Sequence, residues 1–180
     1  DVACGGGLLT ESMHECGATV TGVDISDVAI NTAKIHAEKN NYNVTYINGE
    51  AEELLNDSKE TFDVVTCLEA IEHVPDPQQL VQTCSDLCKP GGTVVFSTIN
   101  RNPKSFLFAI VGAEYILKLL PKGTHEFKKF IKPSELSGMM RNSNLEVKEI
   151  IGMSYNPLTK NYWLGKDVDV NYMIHAEKKI

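Results

Sequence analysis

The chain opens on Asp1-Val2-Ala3-Cys4-Gly5-Gly6-Gly7 and passes at once into a helix-forming run from Leu8 to Glu15. No other stretch limits the possible folds so sharply. A strand that runs into glycines and then into a helix offers bare main chain to a ligand, because glycine has no Cβ and tolerates left-handed turns. The helix start behind it carries unpaired N–H groups and the positive end of the helix dipole. That combination suits a nucleotide or a nucleotide-like ligand. The strand has lost its beginning at Asp1, so the sequence reads as a fragment lacking an N-terminal part.

Beyond the turn, apolar runs alternate with helical patterns, the signature of βαβ units. Strands are expected at 18–23 (closing on Asp24), 44–47, 62–68, 93–98, 146–153 and 168–177. Ile25 to Asn40 reads as a helix with Ile25, Val28, Ala29, Thr32, Ala33 and His36 on its inner face. A short helix or turn is expected at 50–55. Asp76-Pro77-Gln78-Gln79 starts another helix, with an N-cap acid, proline at the first helical position and Gln79 completing a capping box. Lys89-Pro90-Gly91-Gly92 reads as a turn, and Pro133 opens a helix that ends near Asn142. The expected fold is α/β: a Rossmann-like, doubly wound, mostly parallel seven-stranded sheet with an antiparallel edge hairpin and a truncated first strand.

At 180 residues and 42% hydrophobic content, one core and a single domain spanning 1–180 are expected. A net charge of −7 argues against general nucleic-acid binding, which needs a basic footprint. The five cysteines are odd in number and form no CxxC pair, which favours reduced thiols over disulfides or zinc. Cys84 and Cys88 share a helix face and read as core.

A glycine turn alone is shared by dinucleotide folds. Asp24, closing the second strand, stands where a ribose diol would be held; the alternative is an N-cap for the next helix. The spacing Gly5-Gly6-Gly7 is not G-x-G-x-x-G. Asp1, just before the turn, would repel a pyrophosphate and suit a cationic, amino-acid-bearing ligand. S-adenosylmethionine fits both features.

D-V-x-C-G-G-G, the V-D that ends the second strand, F-D-V-V-T-C-x-E-x-x-E-H-V at 62–74 and K-P-G-G at 89–92 resemble a class I S-adenosylmethionine-dependent methyltransferase. The segments at 96–106, 111–115, 121–125, 132–133, 152–157 and 169–173 resemble, across essentially the whole chain, the ubiquinone biosynthesis O-methyltransferase family, its bacterial branch nearest. The resemblance implies O-methylation of ring hydroxyls on polyprenylated catechol and demethylubiquinol intermediates. It implies cofactor contacts from Ala3, Asp24 and Leu68, alongside Asp1 and Gly5 of the opening stretch; Ala3 and Leu68 stand where the family keeps Gly and Met. Ala3 adds a methyl to a bare turn. The cost is slight if its φ is negative, and weaker cofactor binding is expected if its Cβ points at the methionine moiety.

Methyl transfer from a sulfonium is an in-line displacement, and a catechol hydroxyl must be helped to ionise. Glu69, Glu72 and His73 follow the fourth strand. If 69–73 is one helical turn they share a face, and two carboxylates and an imidazole suit Mg2+. The resemblance implies the same magnesium site. The alternatives are His73 as a metal-free general base, or Glu72 and His73 ordering the loop before Asp76.

Residues 101–132 read as an insert or lid. Phe106 to Ala113 is wholly apolar, and the segment carries seven basic residues against Glu114 and Glu126, a local charge of +5. Such a run is too short to span a bilayer and reads as an interfacial element at an anionic membrane surface, through 105–120, with a lid or dimer contact as the alternative. The expected location is cytoplasmic and peripheral to the inner membrane in a bacterium, or the matrix face in a mitochondrion, with other ubiquinone-synthesis enzymes as further partners. His125, Tyr155, Asn156 and Pro157 are expected to wall a quinol pocket on resemblance alone. Other readings of function are a methyltransferase for another small hydroxylated acceptor, or a non-catalytic membrane-bound subunit of a ubiquinone-synthesis complex.

Overall fold

The computed structural model describes residues 1–58, 61–106, 127–156, 159 and 161–180. Its elements are α1 (Leu8–Glu15), β1 (Thr21–Asp24), α2 (Asp27–Asn40), β2 (Thr45–Asn48), α3 (Leu55–Ser58), β3 (Phe62–Leu68), α4 (Pro77–Leu87), β4 (Cys88–Ile99), α5 (Pro103–Ser105), α6 (Pro133–Asn142), β5 (Leu145–Asn156), β6 (Asn161–Gly165) and β7 (Asn171–Lys178). A one-turn 3₁₀ helix, Ala51–Leu54, stands where a short helix was expected.

The strands form one mixed α/β sheet joined through the chain's first residues. β1 pairs with β2 and β3 with β4, both parallel. Val2 bridges in parallel to Val23 on one side and to Cys67 on the other, so the chain's first residues sit between β1 and β3. Beyond β4 the order is β7, β5, β6, and all three of these pairings are antiparallel. The parallel half agrees with expectation. The antiparallel half is larger than expected by β6, a strand of five residues.

α4 follows its caps. The Asp76 carboxylate accepts from the Gln79 N–H at 3.0 Å, Pro77 takes the first turn, and Leu80, Val81, Cys84 and Leu87 are buried. These side chains and those of α6 cover Val94, Phe96, Tyr172 and Ile174 on one face of the sheet. A second, smaller core gathers Cys4, Ile30, Ala33, Ala37 and Tyr46 beneath α2.

α2 corrects its expected inner face. Ser26 caps it, accepting from the Ala29 N–H at 3.3 Å, so the helix starts at Asp27. The buried stripe is Ile30, Ala33 and Ala37, while Ile25 and Val28 are 76% and 77% exposed. Lys89–Gly92 is also corrected: it bulges out of β4 instead of ending an element. Phe62 pairs with Cys88 and Val64 already with Thr93, so the extra residues leave the ladder there, helped by Gly91 at φ 76°. Cys88 accordingly opens a strand and does not share a helix face with Cys84. All five cysteines are free thiols, and all but Cys16 are buried.

Candidate active site

In an open parallel sheet, ligands gather at the carboxyl ends of the strands. Here that edge carries the glycine turn, the end of β1 and the segment after β3. The turn is pinned from both sides: the Val2 N–H donates to Thr66 O of β3 at 2.8 Å, and the Cys4 N–H to Val23 O of β1 at 3.0 Å. Between them Ala3 is exposed and left-handed, at φ 56°. Gly5 (φ 53°) and Gly6 have nothing within 4 Å of a Cβ built on them, so their main chain borders open space. Gly7 differs. A Cβ there would stand 2.2 Å from Tyr46 Oη and 3.1 Å from Ala33 Cβ, so Gly7 lets α1 close onto β2 and α2.

Asp24 faces this turn. Its Oδ2 accepts from the Gly5 N–H at 2.9 Å and its Oδ1 from the Ser26 N–H at 2.8 Å. Each oxygen keeps a further lone pair. Ser26, not Asp24, caps α2. The Asp1 carboxylate accepts from Thr10 Oγ1 at 2.7 Å and from Thr66 Oγ1 at 2.9 Å, tying α1 to β3 behind the turn. Leu68 ends β3 half-buried. Burial, reinforced by the Asp24 carboxylate, pushes the Cys4 thiol up to about 11, so it remains a protonated packing group beside the turn.

The segment 69–73 is not a helical turn, which corrects the shared face expected for Glu69, Glu72 and His73. Glu69 is left-handed at φ 52° and His73 closes a tight turn by donating its N–H to Ala70 O at 2.9 Å. The two carboxylates are held by neighbouring residues of β4. Ser97 Oγ donates to Glu69 Oε1 and Thr98 Oγ1 donates to Glu72 Oε2, each at 2.7 Å. Consecutive residues of a strand point to opposite faces. Glu69 therefore lies exposed on one side of the sheet, while Glu72 is buried on the other at 3% exposure. His73 Nε2 is 4.0 Å from Glu72 Oε1 and half-exposed. Among the described residues no three His, Cys, Asp or Glu side chains are grouped around a point that could hold a metal. The Mg2+ donor set as expected does not fit this arrangement.

Ser97, Thr98 and Asn171 were not singled out from the sequence as site residues. The available signal was a pair of hydroxyls interrupting the apolar run Val94-Val95-Phe96 at the end of β4.

The methyltransferase domain family matches residues 1–96. Ubiquinone biosynthesis O-methyltransferases are similar over nearly the whole chain. That of Saccharophagus degradans is 57% identical over 99% of the chain and 76% of its own length. That of Pseudomonas fluorescens is 59% identical over 98% and 76%, and that of Nitrosospira multiformis 58% over 97% and 73%. The chain belongs to the ubiquinone biosynthesis O-methyltransferase family. It is an S-adenosylmethionine-dependent O-methyltransferase. The fold agrees. A crystal structure of an S-adenosylmethionine-dependent methyltransferase from Methanosarcina mazei aligns with TM-score 0.74 at 20% identity, covering 100% of this chain and 91% of that one. Magnesium protoporphyrin IX methyltransferase from Synechocystis, with bound S-adenosylmethionine, aligns with TM-score 0.67 at 17% identity, over 99% and 68%.

In this O-methyltransferase the expected membrane element 105–120 lies outside the described residues from 107 onward, as do His125 and Pro157. The described flanks meet: the Phe106 and Phe127 rings are edge-on with centroids 5.5 Å apart, and Phe127 packs on buried Phe130. Arg101 pairs with Glu135, and Lys104 with Asp167 and Asp169 at 2.8 and 3.0 Å. No helix among the described residues is long and apolar enough to cross a membrane. Tyr155 and Tyr162 stack across the β5–β6 hairpin with centroids 4.4 Å apart, both exposed.

Proposed function

We propose that the chain methylates a ring hydroxyl of a polyprenylated catechol or demethylubiquinol intermediate. The observation that carries this reading is the 57–59% identity, over nearly the whole chain, to enzymes named for ubiquinone biosynthesis. S-adenosylmethionine supplies, when bound, an electrophilic sulfonium methyl. In this reading Gly5 and Gly6 border it with bare main chain, and Asp24 takes the ribose hydroxyls with its remaining lone pairs. Leu68 offers an apolar face to the adenine, and Asp1 and Ala3 flank the methionine end.

A phenolic hydroxyl ionises near pH 10, about 3 units above neutrality, so a base raises the rate at pH 7. His73 is that base. It is half-exposed at the ligand-bearing edge, and the buried Glu72 carboxylate 4.0 Å away stabilises the imidazolium that forms. Glu72 in turn is anchored by Thr98.

Magnesium is a second reading, favoured by two carboxylates and an imidazole lying within five residues of one another. It requires Glu72 to leave Thr98 and cross to the face of Glu69, and no step above depends on it. Chelation and magnesium add-back separate the readings: loss and recovery of activity speak for the ion, and chelator-resistant activity for His73 alone.

The basic residues of 101–132 and the apolar run within 105–120 support peripheral association with an anionic bilayer at the cytoplasmic face. Pelleting with anionic vesicles tests this, and binding equal to that of a chain lacking 105–120 would count against it. The decisive assay for the activity is methylation of a short-chain demethylubiquinol analogue. Turnover is expected, and cofactor binding without turnover on any catechol would favour a non-catalytic subunit.

A further inference from the structure

Asp1, Thr10 and Thr66 form a strut that the chemistry above does not use. Thr10 Oγ1 of α1 donates to Asp1 Oδ2 at 2.7 Å, and Thr66 Oγ1 of β3 donates to Asp1 Oδ1 at 2.9 Å. Thr10 is 0% exposed and Thr66 8%, so both hydroxyls are shielded from water. Alternation along β3 places Val65 and Cys67 in the larger core and Thr66 on the opposite face, toward α1. One carboxylate therefore joins a helix to a strand, with a different oxygen serving each. As a filler it is costly, because half-burial penalises its charge and an apolar side chain would pack without that penalty. What it adds is direction, since hydrogen bonds to an ionised acceptor are short and about twice as strong as neutral ones.

Direction matters at this place in the fold. α1 starts at Leu8, behind Gly7, with no side-chain cap. Consecutive residues fasten it instead: Thr10 to Asp1, and Glu11 Oε2 to His36 Nδ1 of α2 at 2.6 Å. Neighbours on a helix are about 100° apart, so the two bonds pull in different directions and fix both tilt and rotation. On the other wall, the Thr66 carbonyl accepts from the Val2 N–H at 2.8 Å, and two residues later Leu68 ends β3 ahead of Glu69 to His73. The open turn at Gly5 and Gly6 and the segment that carries His73 are thus spaced through one carboxylate. An in-line methyl transfer is sensitive to that spacing, because misplacement of about 1 Å costs on the order of 100-fold in rate.

Building on the reading that this turn seats S-adenosylmethionine, we propose that Thr10 and Thr66 are positioning residues that act through the Asp1 carboxylate. Together they hold the cofactor turn in register with the end of β3. The test measures S-adenosylhomocysteine binding by calorimetry and kcat on a short-tail catechol at saturating cofactor. The variants are Thr10→Val, Thr66→Val, Thr10→Ser, Thr66→Ser, Asp1→Ala and the Asp1→Ala/Thr66→Val pair. Valine keeps the shape of threonine and removes the hydroxyl. Asp24→Ala is the control for the seat itself.

Each valine variant is expected to raise the Kd about tenfold, the scale of a hydrogen bond to a charged group, and to lower kcat with the catechol KM unchanged. The serine variants should keep wild-type affinity. Thr66→Val should add nothing once Asp1→Ala is present, since both remove the same link. A lowered denaturant midpoint with an unchanged Kd in the folded valine variants would overturn the proposal, as would full additivity with Asp1→Ala. Should Thr66→Val not fold, Thr10→Val decides from the other wall. If Asp24→Ala leaves the Kd unchanged, the cofactor does not sit at this turn and the underlying reading is at fault; if Asp24→Ala weakens binding and the valine variants do not, only the strut is.

Discussion

Ala3→Gly should make this protein more stable, although it deletes a side-chain carbon. Ala3 sits at φ 56°, between Val2, bonded to β3 at 2.8 Å, and Cys4, bonded to β1 at 3.0 Å. Those two bonds forbid the backbone from relaxing at Ala3 without breaking a sheet contact. A left-handed L-residue costs about 1–2 kcal/mol, and glycine loses about 0.5–1 kcal/mol more backbone entropy on folding. The difference is a gain of about 0.5–1 kcal/mol. For a chain of this size it should raise Tm by roughly 1–4 °C. Thermal unfolding without cofactor, backed by denaturant midpoints, reads this directly. Ala3→Val is the opposing control, because a β-branched side chain tolerates φ > 0 least, and it should lower stability. If Ala3→Gly leaves Tm unchanged or lowers it while Ala3→Val is harmless, the turn is not strained and the reasoning fails. Calorimetry with S-adenosylhomocysteine then reads the second question. Tighter binding by the glycine variant would mean that the methyl also crowds the cofactor.

Gly7→Ala should cost about 1–3 kcal/mol from overpacking against Tyr46, before the penalty of its positive φ, and a lowered denaturant midpoint checks it. His73→Gln should lower kcat about 100-fold or more while leaving S-adenosylhomocysteine affinity intact; equal losses in both would remove His73 from the chemistry. Burial, with the Glu11 carboxylate adding to it, pushes the Tyr46 hydroxyl up to about 12. The unfolded chain therefore releases this proton first, near pH 10, so the Tyr46 contribution is complete below about pH 10 and is lost as pH rises toward 12. Tyr46→Phe should flatten the alkaline fall in stability over that window, and an identical pH profile would refute the assignment. Tyr172→Phe should cost about 1 kcal/mol, since it removes a fully buried hydroxyl that donates to Ile131 O at 2.8 Å.

The alternation of strands and helices was legible where a strand carries a largely apolar run, and Phe62–Leu68 was bounded correctly for that reason. Caps were legible where the chemistry is local, as with the Asp76 cap and Pro77 at the start of α4. Periodicity misplaced the inner face of α2 because Ile25 precedes the helix, which starts at Asp27 after the Ser26 cap, and Val28 in its first turn faces solvent. β6 escaped because Tyr162-Trp163-Leu164 is too short to show alternation. The turn chemistry of Lys89–Gly92 was right in kind, but nothing local could tell that pairing with β3 resumes beyond it. At the site, the residue types were legible and their arrangement was not. Whether Glu69 and Glu72 meet depends on one positive φ and on the register of a strand 28 residues away from Glu69.

That register has a consequence of its own. Because Ser97 and Thr98 are adjacent and face opposite ways, sliding β4 by one residue would turn the whole strand inside out. It would set Phe96 against Glu69 or Ile99 against Glu72, so one of the two acids would lose its hydroxyl anchor. The bulge at Lys89–Gly92 is where the chain can gain or lose length without transmitting that slip, since the ladder restarts at Thr93 opposite Val64. Insertions there should be tolerated, whereas a single residue added between Thr93 and Ile99 should cost both fold and chemistry. The loop far from the cofactor thus acts as the spacer that keeps the two acids on their separate sides.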